Sequence, residues 1–185
     1  MKKLLSWFLI IFPLVSTLYI YYPILKTELN YRVNAGRQVV LAPKSHEFGV
    51  VIPSLGVNEL VIPNVDAFNK AEYMQALYKG VAHAKNSVPP DQDGTTYLFA
   101  HSSDNPFSIT RYNTSFYLLP KLAVGDEILL YYQNKEYTYR VSHLEVVKPY
   151  QVKALTESTE NQLILQTCTP VGTSLNRLLV FAEPI

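Results

Sequence analysis

Two apolar runs with a thiol between them constrain this chain more than any other feature. Residues 163–177 read LILQTCTPVGTSLNR, and Arg177 opens a second run, Leu178-Leu179-Val180-Phe181. Leu163-Ile164-Leu165 leads into Cys168, the only cysteine, and Pro170 and Gly172 interrupt the pattern just beyond it. Short apolar runs bounded by turn residues read as strands. The stretch therefore predicts strand, thiol at the strand end, turn, arginine, strand. A thiol at a strand end can face a cleft, and a cation one loop away favours the thiolate, which is the nucleophilic form. The bland alternative is a small buried hydrophobe, as most free cysteines are. A single cysteine excludes an internal disulfide, and in an oxidising exterior a lone thiol needs a reason to be there.

A nucleophilic thiol also needs a proton partner, and the chain has four histidines: His46, His83, His101 and His143. His101 ends the β-branched and aromatic run Thr95-Thr96-Tyr97-Leu98-Phe99-Ala100 and precedes a polar turn at 102–106. It too is delivered at a strand end. His83 follows the short run Val81-Ala82 and competes for the role of general acid; its alternative is a structural histidine hydrogen-bonded near the cleft. His46 and His143 lack such flanks and are read as solvent-facing. A zinc site from three histidines and Cys168 is open on ligand type, although no spacing is diagnostic.

In these residues the chain resembles the sortases, membrane-anchored cysteine transpeptidases of bacterial envelopes. LFAHSS, LQTCTPVG and NRLLVFAE follow the family's order of histidine strand, Thr-Cys strand and arginine strand, and VIPSLGVNELVIPNV and EYMQALYKGVAH are also similar. The likeness runs from about residue 48 to the C-terminus. It implies a mainly β fold, an eight-stranded barrel with a few short helices. It implies that Cys168 attacks the carbonyl after the threonine of an LPXTG-like C-terminal sorting signal to give a thioacyl intermediate. His101 then serves the leaving and entering amines, and Arg177 holds substrate and oxyanion. Thr167, Val152, Ala154 and Leu155 are expected against the substrate, and Asp104 to orient His101 as a third member does. The partners implied are secreted proteins bearing the signal and an amine of peptidoglycan or its precursor. No cofactor is expected, and calcium dependence is not legible. With no second apolar span near the C-terminus, the pilin-polymerase type is not expected.

Residues 4–25 carry no charge and follow Lys2-Lys3. About 20 such residues suffice for a helix to cross the hydrocarbon core, and positive charge before the span places the N-terminus in the cytoplasm. Residues 1–25 are therefore expected as a single-pass anchor in membrane lipid, with the domain outside. A cleaved signal peptide is the rival, but Val15-Ser16-Thr17 fits a cleavage site poorly. Residues 26–47 read as a stalk, helical over 26–32, and 48–185 as the catalytic domain.

Within that domain, strands are expected at 49–52 and 60–62, closed by Pro53 and Pro63. A helix is expected at 69–79, capped by Asn69 with Glu72 three residues on and ended by Gly80, with Tyr73, Leu77 and Tyr78 facing the core. A hairpin is expected between 128–132 and 137–147. A length of 185 residues leaves room for one domain plus an appendage. The 12 prolines and 14 tyrosines against 7 glycines favour short strands and rigid turns over a helical bundle, and a net charge of +1 gives no electrostatic case for nucleic acid.

Other thiol chemistries fit less well. Papain-like enzymes place cysteine before histidine; here the order is reversed. Caspase-like sites want glycine two residues after the cysteine, where this chain has Pro170. L,D-transpeptidases typically have glycine before the cysteine and arginine two residues after it; here these are Thr167 and Pro170. A membrane-anchored cysteine peptidase that only hydrolyses its substrate and a non-catalytic envelope-binding module stand as alternatives, the latter leaving Cys168 without a purpose.

Overall fold

The apolar runs become eight strands that close on one another. The structure is a computed structural model describing residues 2–34, 41–102, 116–152, 158–171 and 173–185, with side chains in the first helix from Leu9 onward apart from residues 20, 23, 24, 30 and 34. The strands are β1 (Phe48–Ile52), β2 (Val57–Val65), β3 (Val81–Ala84), β4 (Thr95–Phe99), β5 (Glu127–Tyr132), β6 (Lys135–Val147), β7 (Gln162–Thr169) and β8 (Asn176–Pro184). They form a closed barrel in the order β1-β2-β3-β4-β7-β8-β6-β5. Closure removes the exposed edges that an open sheet must otherwise protect.

β4, β7 and β8 position everything that follows. β4 and β7 are parallel, and β8 runs antiparallel to both β7 and β6. Their middles, Tyr97-Leu98, Leu163-Ile164-Leu165 and Leu179-Val180, are excluded from solvent. Strands buried on both faces read as unbroken apolar runs, which is how these three read.

Turn chemistry sets the remaining registers. Gln133 and Asn134, with φ of 49° and 62°, link Tyr132 to its partner Lys135 in a two-residue hairpin; both central residues of that turn type need positive φ. Gly56, at φ 66°, closes the 3-10 turn Pro53–Leu55 between β1 and β2. Pro63 was expected to end its strand, but β2 continues through it to Val65. Pro63 and Asn64 are exposed, Asn64 has φ 58°, and the register with β3 shifts between Ile62 and Val65. A bulge absorbs the proline's missing donor.

The expected helix is present as α2 (Lys70–Leu77), following α1 (Lys2–Asn34). Asn69 Oδ1 accepts from the Glu72 N–H at 3.4 Å, and Glu72 Oε1 reaches further back to the Asp66 N–H at 2.9 Å. Leu77 is buried and Tyr73 packs on the core, whereas Tyr78 is half exposed and takes no part in it.

The helix expected at 26–32 is the end of α1, one continuous element to Asn34. It docks on the barrel. Lys121, at the end of the 3-10 turn Leu119–Lys121, donates to both Glu28 carboxylate oxygens at 2.6 and 2.8 Å, and its ammonium lies 4.5 Å from the Tyr31 ring centre. Residues 41–47 also lie along the barrel: Asn58 donates to the Ala42 carbonyl at 2.6 Å and Lys44 pairs with Glu59 at 2.8 Å. Among the described residues no helix is long and apolar enough to cross a membrane. The expected span starts at Leu4, and the side chains before Leu9 lie outside the described residues.

Candidate active site

Strand alternation brings the chemistry-bearing residues together. On β7, Gln166 and Cys168 point to one face and Thr167 to the other. β4 pairs Phe99 with Gln166 in parallel register. Two residues further along each chain stand His101, just past the end of β4, and Cys168. β8 pairs Arg177 directly with Cys168 and Leu179 with Gln166. Directly opposite residues of an antiparallel pair hold their Cβ atoms about 4.5–5.5 Å apart, so the guanidinium and the thiol share one neighbourhood. His101, Cys168 and Arg177 thus occupy one end of three adjacent strands, each half-buried.

They open onto a cleft of about 370 Å³. Phe99, Ala100 and Gln166 line it beside the three. Ala67, Phe68, Lys70, Tyr73 and Leu77 form the wall on the α2 side, and Pro149, Val152 and Ser174 complete it. Arg177 is braced by its own loop, Nη1 donating to the Ser174 carbonyl at 3.1 Å and the Asn176 carbonyl at 3.2 Å. Beneath the floor Tyr97 is fully buried, and its hydroxyl donates to Gln166 Oε1 at 2.7 Å. Burial pushes that phenol far above its usual range, and the nearby Arg177 charge opposes this more weakly.

A family model described as a sortase domain matches residues 50–185. The chain belongs to the sortase family. It is similar to Sortase D of Bacillus subtilis (strain 168), with 26% identity over 138 residues that cover 72% of this chain and 61% of that protein. The chain thus spans about three fifths of that relative's length. Among solved structures it is similar to sortase C1 from Streptococcus suis, at 28% identity and a TM-score of 0.61, covering 76% of this chain and 74% of that one. It also shares the fold of sortase A from Corynebacterium diphtheriae, at 24% identity and a TM-score of 0.62, covering 78% of this chain and 62% of the other. The eight-stranded barrel expected from the sequence is the barrel of these sortases.

The remaining expected site residues of this sortase divide. Val152 lines the cleft and is buried. Asp104, Ala154 and Leu155 lie outside the described residues. Thr167, expected against the substrate, faces away from the cleft: it is fully buried, and its Oγ1 donates to the Ala100 carbonyl at 3.2 Å. The Ala100 N–H in turn donates to the Gln166 carbonyl at 3.1 Å. Two hydrogen bonds therefore clamp the residue before His101 onto β7, holding histidine and cysteine in step.

His83 does not enter the site. It pairs with Leu98, whose side chain leaves β4 on the face opposite to Phe99. His46 and His143 are exposed, and each rests on an aromatic ring, Tyr131 and Phe181 respectively. Among the described residues no three histidine, cysteine or acidic side chains gather as metal ligands.

Sequence reasoning missed Gln166 and the α2 wall. Gln166 was within reach, because counting back two residues from Cys168 along a strand selects the same face. Phe68 and Lys70 come from far upstream, and only closure of the barrel brings them to the thiol.

Proposed function

We propose that this chain is a membrane-anchored cysteine transpeptidase. It cleaves an LPXTG-like C-terminal sorting signal and transfers the protein to an amine of the cell envelope. The observation that carries the reading is the register: Arg177 sits opposite Cys168, and His101 comes level with it two residues past the Phe99–Gln166 pair.

The chemistry follows from that placement. The Cys168 thiolate attacks the carbonyl carbon after the threonine, forming a carbon–sulfur bond and a tetrahedral oxyanion. Arg177, with Nη1 held by backbone carbonyls, offers its other N–H groups to the oxyanion and the peptide, a charge-assisted contact strengthened in a cleft short of water. His101 gives a proton to the departing amine as the carbon–nitrogen bond breaks, leaving a thioester on Cys168. An incoming amine surrenders a proton to His101, attacks the thioester and frees the thiolate. A covalent intermediate suits an enzyme that releases one fragment before engaging the next.

Membrane anchorage rests on residues 4–25 and on α1. Leu9, Ile10, Ile11, Phe12, Leu14, Val15 and Leu18 are all exposed on that helix, and apolar side chains spread around a helix call for an apolar surrounding such as lipid. The docking of Glu28 and Tyr31 on Lys121 then holds the barrel close to the outer membrane surface. Secreted proteins carrying the sorting signal and a peptidoglycan amine are the two substrates.

The test is a series of fluorogenic LPXTG-type peptides with and without an amine acceptor such as triglycine. Mass spectrometry is expected to show a peptide–amine product and a thioacyl adduct on Cys168. Hydrolysis alone, unaffected by any acceptor, points to a cysteine peptidase instead. Absence of both cleavage and adduct across the series defeats the reading.

A further inference from the structure

The cleft floor carries a polar group that the reaction above does not use. Tyr97 is fully excluded from solvent, and a buried phenol requires a hydrogen-bond partner. It finds one in Gln166, whose Oε1 accepts its proton at 2.7 Å. Burial keeps that hydroxyl protonated, so it remains a donor across the physiological range. The acceptor end of the Gln166 amide is thereby occupied, and the Nε2 end, with its two N–H groups, is turned the other way. Among the described residues Gln166 Nε2 makes no hydrogen bond, while the residue lines the cleft on the same strand face as Cys168, two positions before it.

Its surroundings sharpen the point. Phe99, Leu77 and Val152 make much of the cleft wall apolar. A primary amide among such groups loses water when a ligand arrives, and this costs binding energy unless the ligand supplies an acceptor. Polar groups set among apolar walls serve to orient what binds there. A peptide lying extended over β7 toward Cys168 passes Gln166 one residue pair before the thiol, and its backbone carbonyls are the acceptors it carries whatever its side chains.

We propose that Gln166 binds the substrate peptide by donating from Nε2 to one of its backbone carbonyls, with Tyr97 behind it as the positioning residue that holds the amide in that orientation. This rests on the transpeptidase reading, and its test separates the two. Wild type, Gln166→Met, Gln166→Glu and Tyr97→Phe are compared on a cleavable LPXTG-type peptide. The readouts are KM, kcat, melting temperature and the rate of Cys168 alkylation by iodoacetamide. Methionine keeps length and volume but removes the donor. It is expected to raise KM about tenfold, the scale of one lost neutral hydrogen bond, with kcat within about threefold and alkylation unchanged. Gln166→Glu keeps the acceptor for Tyr97 and loses the donor, so it decides the matter if the methionine variant does not fold, and a similar rise in KM is expected. Tyr97→Phe is expected to raise KM by a smaller factor, because the amide remains but is no longer held. Turnover by wild type with KM of the folded Gln166 variant within about twofold of it overturns the proposal alone. So does a loss confined to kcat and melting temperature. No turnover by wild type on any peptide overturns the transpeptidase reading and this inference with it.

Discussion

Two histidines on neighbouring strands of the barrel meet opposite fates. His83 on β3 pairs with Leu98, while His101 follows Phe99 by two residues and shares its face of β4. His83 is buried beside the Phe48 ring, with centroids 5.4 Å apart. Its Nε2 donates to the Val88 carbonyl at 3.1 Å and lies 3.0 Å from Ser87 Oγ, and its Nδ1 has no partner among the described residues. That is a neutral imidazole serving as a clasp on the loop between β3 and β4. His101 stands at the strand end, half-buried, level with Cys168 and near Arg177. Each ends a short apolar run in the sequence; parity along the strand and distance from its end separate them. The general lesson is that a histidine's chemistry is set by which face it leaves and whether water can follow it.

Exchanging the two is the harshest way to break this contrast. Cys168→Ala is expected to abolish both peptide cleavage and the thioacyl adduct, since no other side chain here supplies a thiolate. His101→Ala is expected to lose about 100- to 10,000-fold in turnover, the range for removing a general acid–base group. His83→Gln is expected to retain a readily measured rate. The readout is steady-state cleavage of the LPXTG-type peptide, with the adduct followed by mass spectrometry. A dead His83 variant beside an active His101 variant reverses the assignment of the acid.

What sets the rim apart from the clasp is its fixed cation, and Arg177→Lys sharpens the contrast by keeping charge while removing shape. If Arg177 acted only through charge on the thiol, lysine would preserve much of the rate. A planar fork already braced at Nη1 by two carbonyls is not replaced by an ammonium. Turnover is expected to fall at least about 100-fold, as for loss of one oxyanion donor. Cys168 should still be alkylated by a small thiol probe. Turnover close to wild type reduces Arg177 to a source of charge.

The sequence made much of the fold and of the candidate site legible, for identifiable reasons. Leu163-Ile164-Leu165 and Leu178-Leu179-Val180-Phe181 are apolar on successive residues because β7 and β8 are covered on both faces, and so they announced central strands. Cys168, His101 and Arg177 could be grouped because each sits where such a run meets a turn. Thr167 was misplaced for want of register: adjacent to the nucleophile in sequence means opposite to it on a strand. Pro63 was misread as a stop because a bulge that accommodates it depends on β3, twenty residues onward. The α2 wall and the Tyr97–Gln166 pair were illegible because each joins segments whose meeting only barrel closure decides.

The gentlest prediction tests the buried half of the comparison through pH. Burial lowers the pKa of His83, opposed by the hydrogen bond to the Val88 carbonyl. A proton added to Nδ1 would create an N–H with no acceptor among the described residues. In the unfolded chain a histidine titrates at about 6.5. With the folded value lower, the unfolded state takes up the proton first. The stability tied to neutral His83 is therefore fully present above the unfolded value and is lost as pH falls through the folded one. His83→Gln removes that titration while keeping a polar side chain in place. Between about pH 7.5 and pH 5, the melting temperature of wild type should fall more steeply than that of His83→Gln. The substitution leaves every other titratable group in place, so the difference between the curves isolates His83. Parallel curves would mean that His83 has the same affinity for protons folded and unfolded, and that the clasp is not buried as a neutral group.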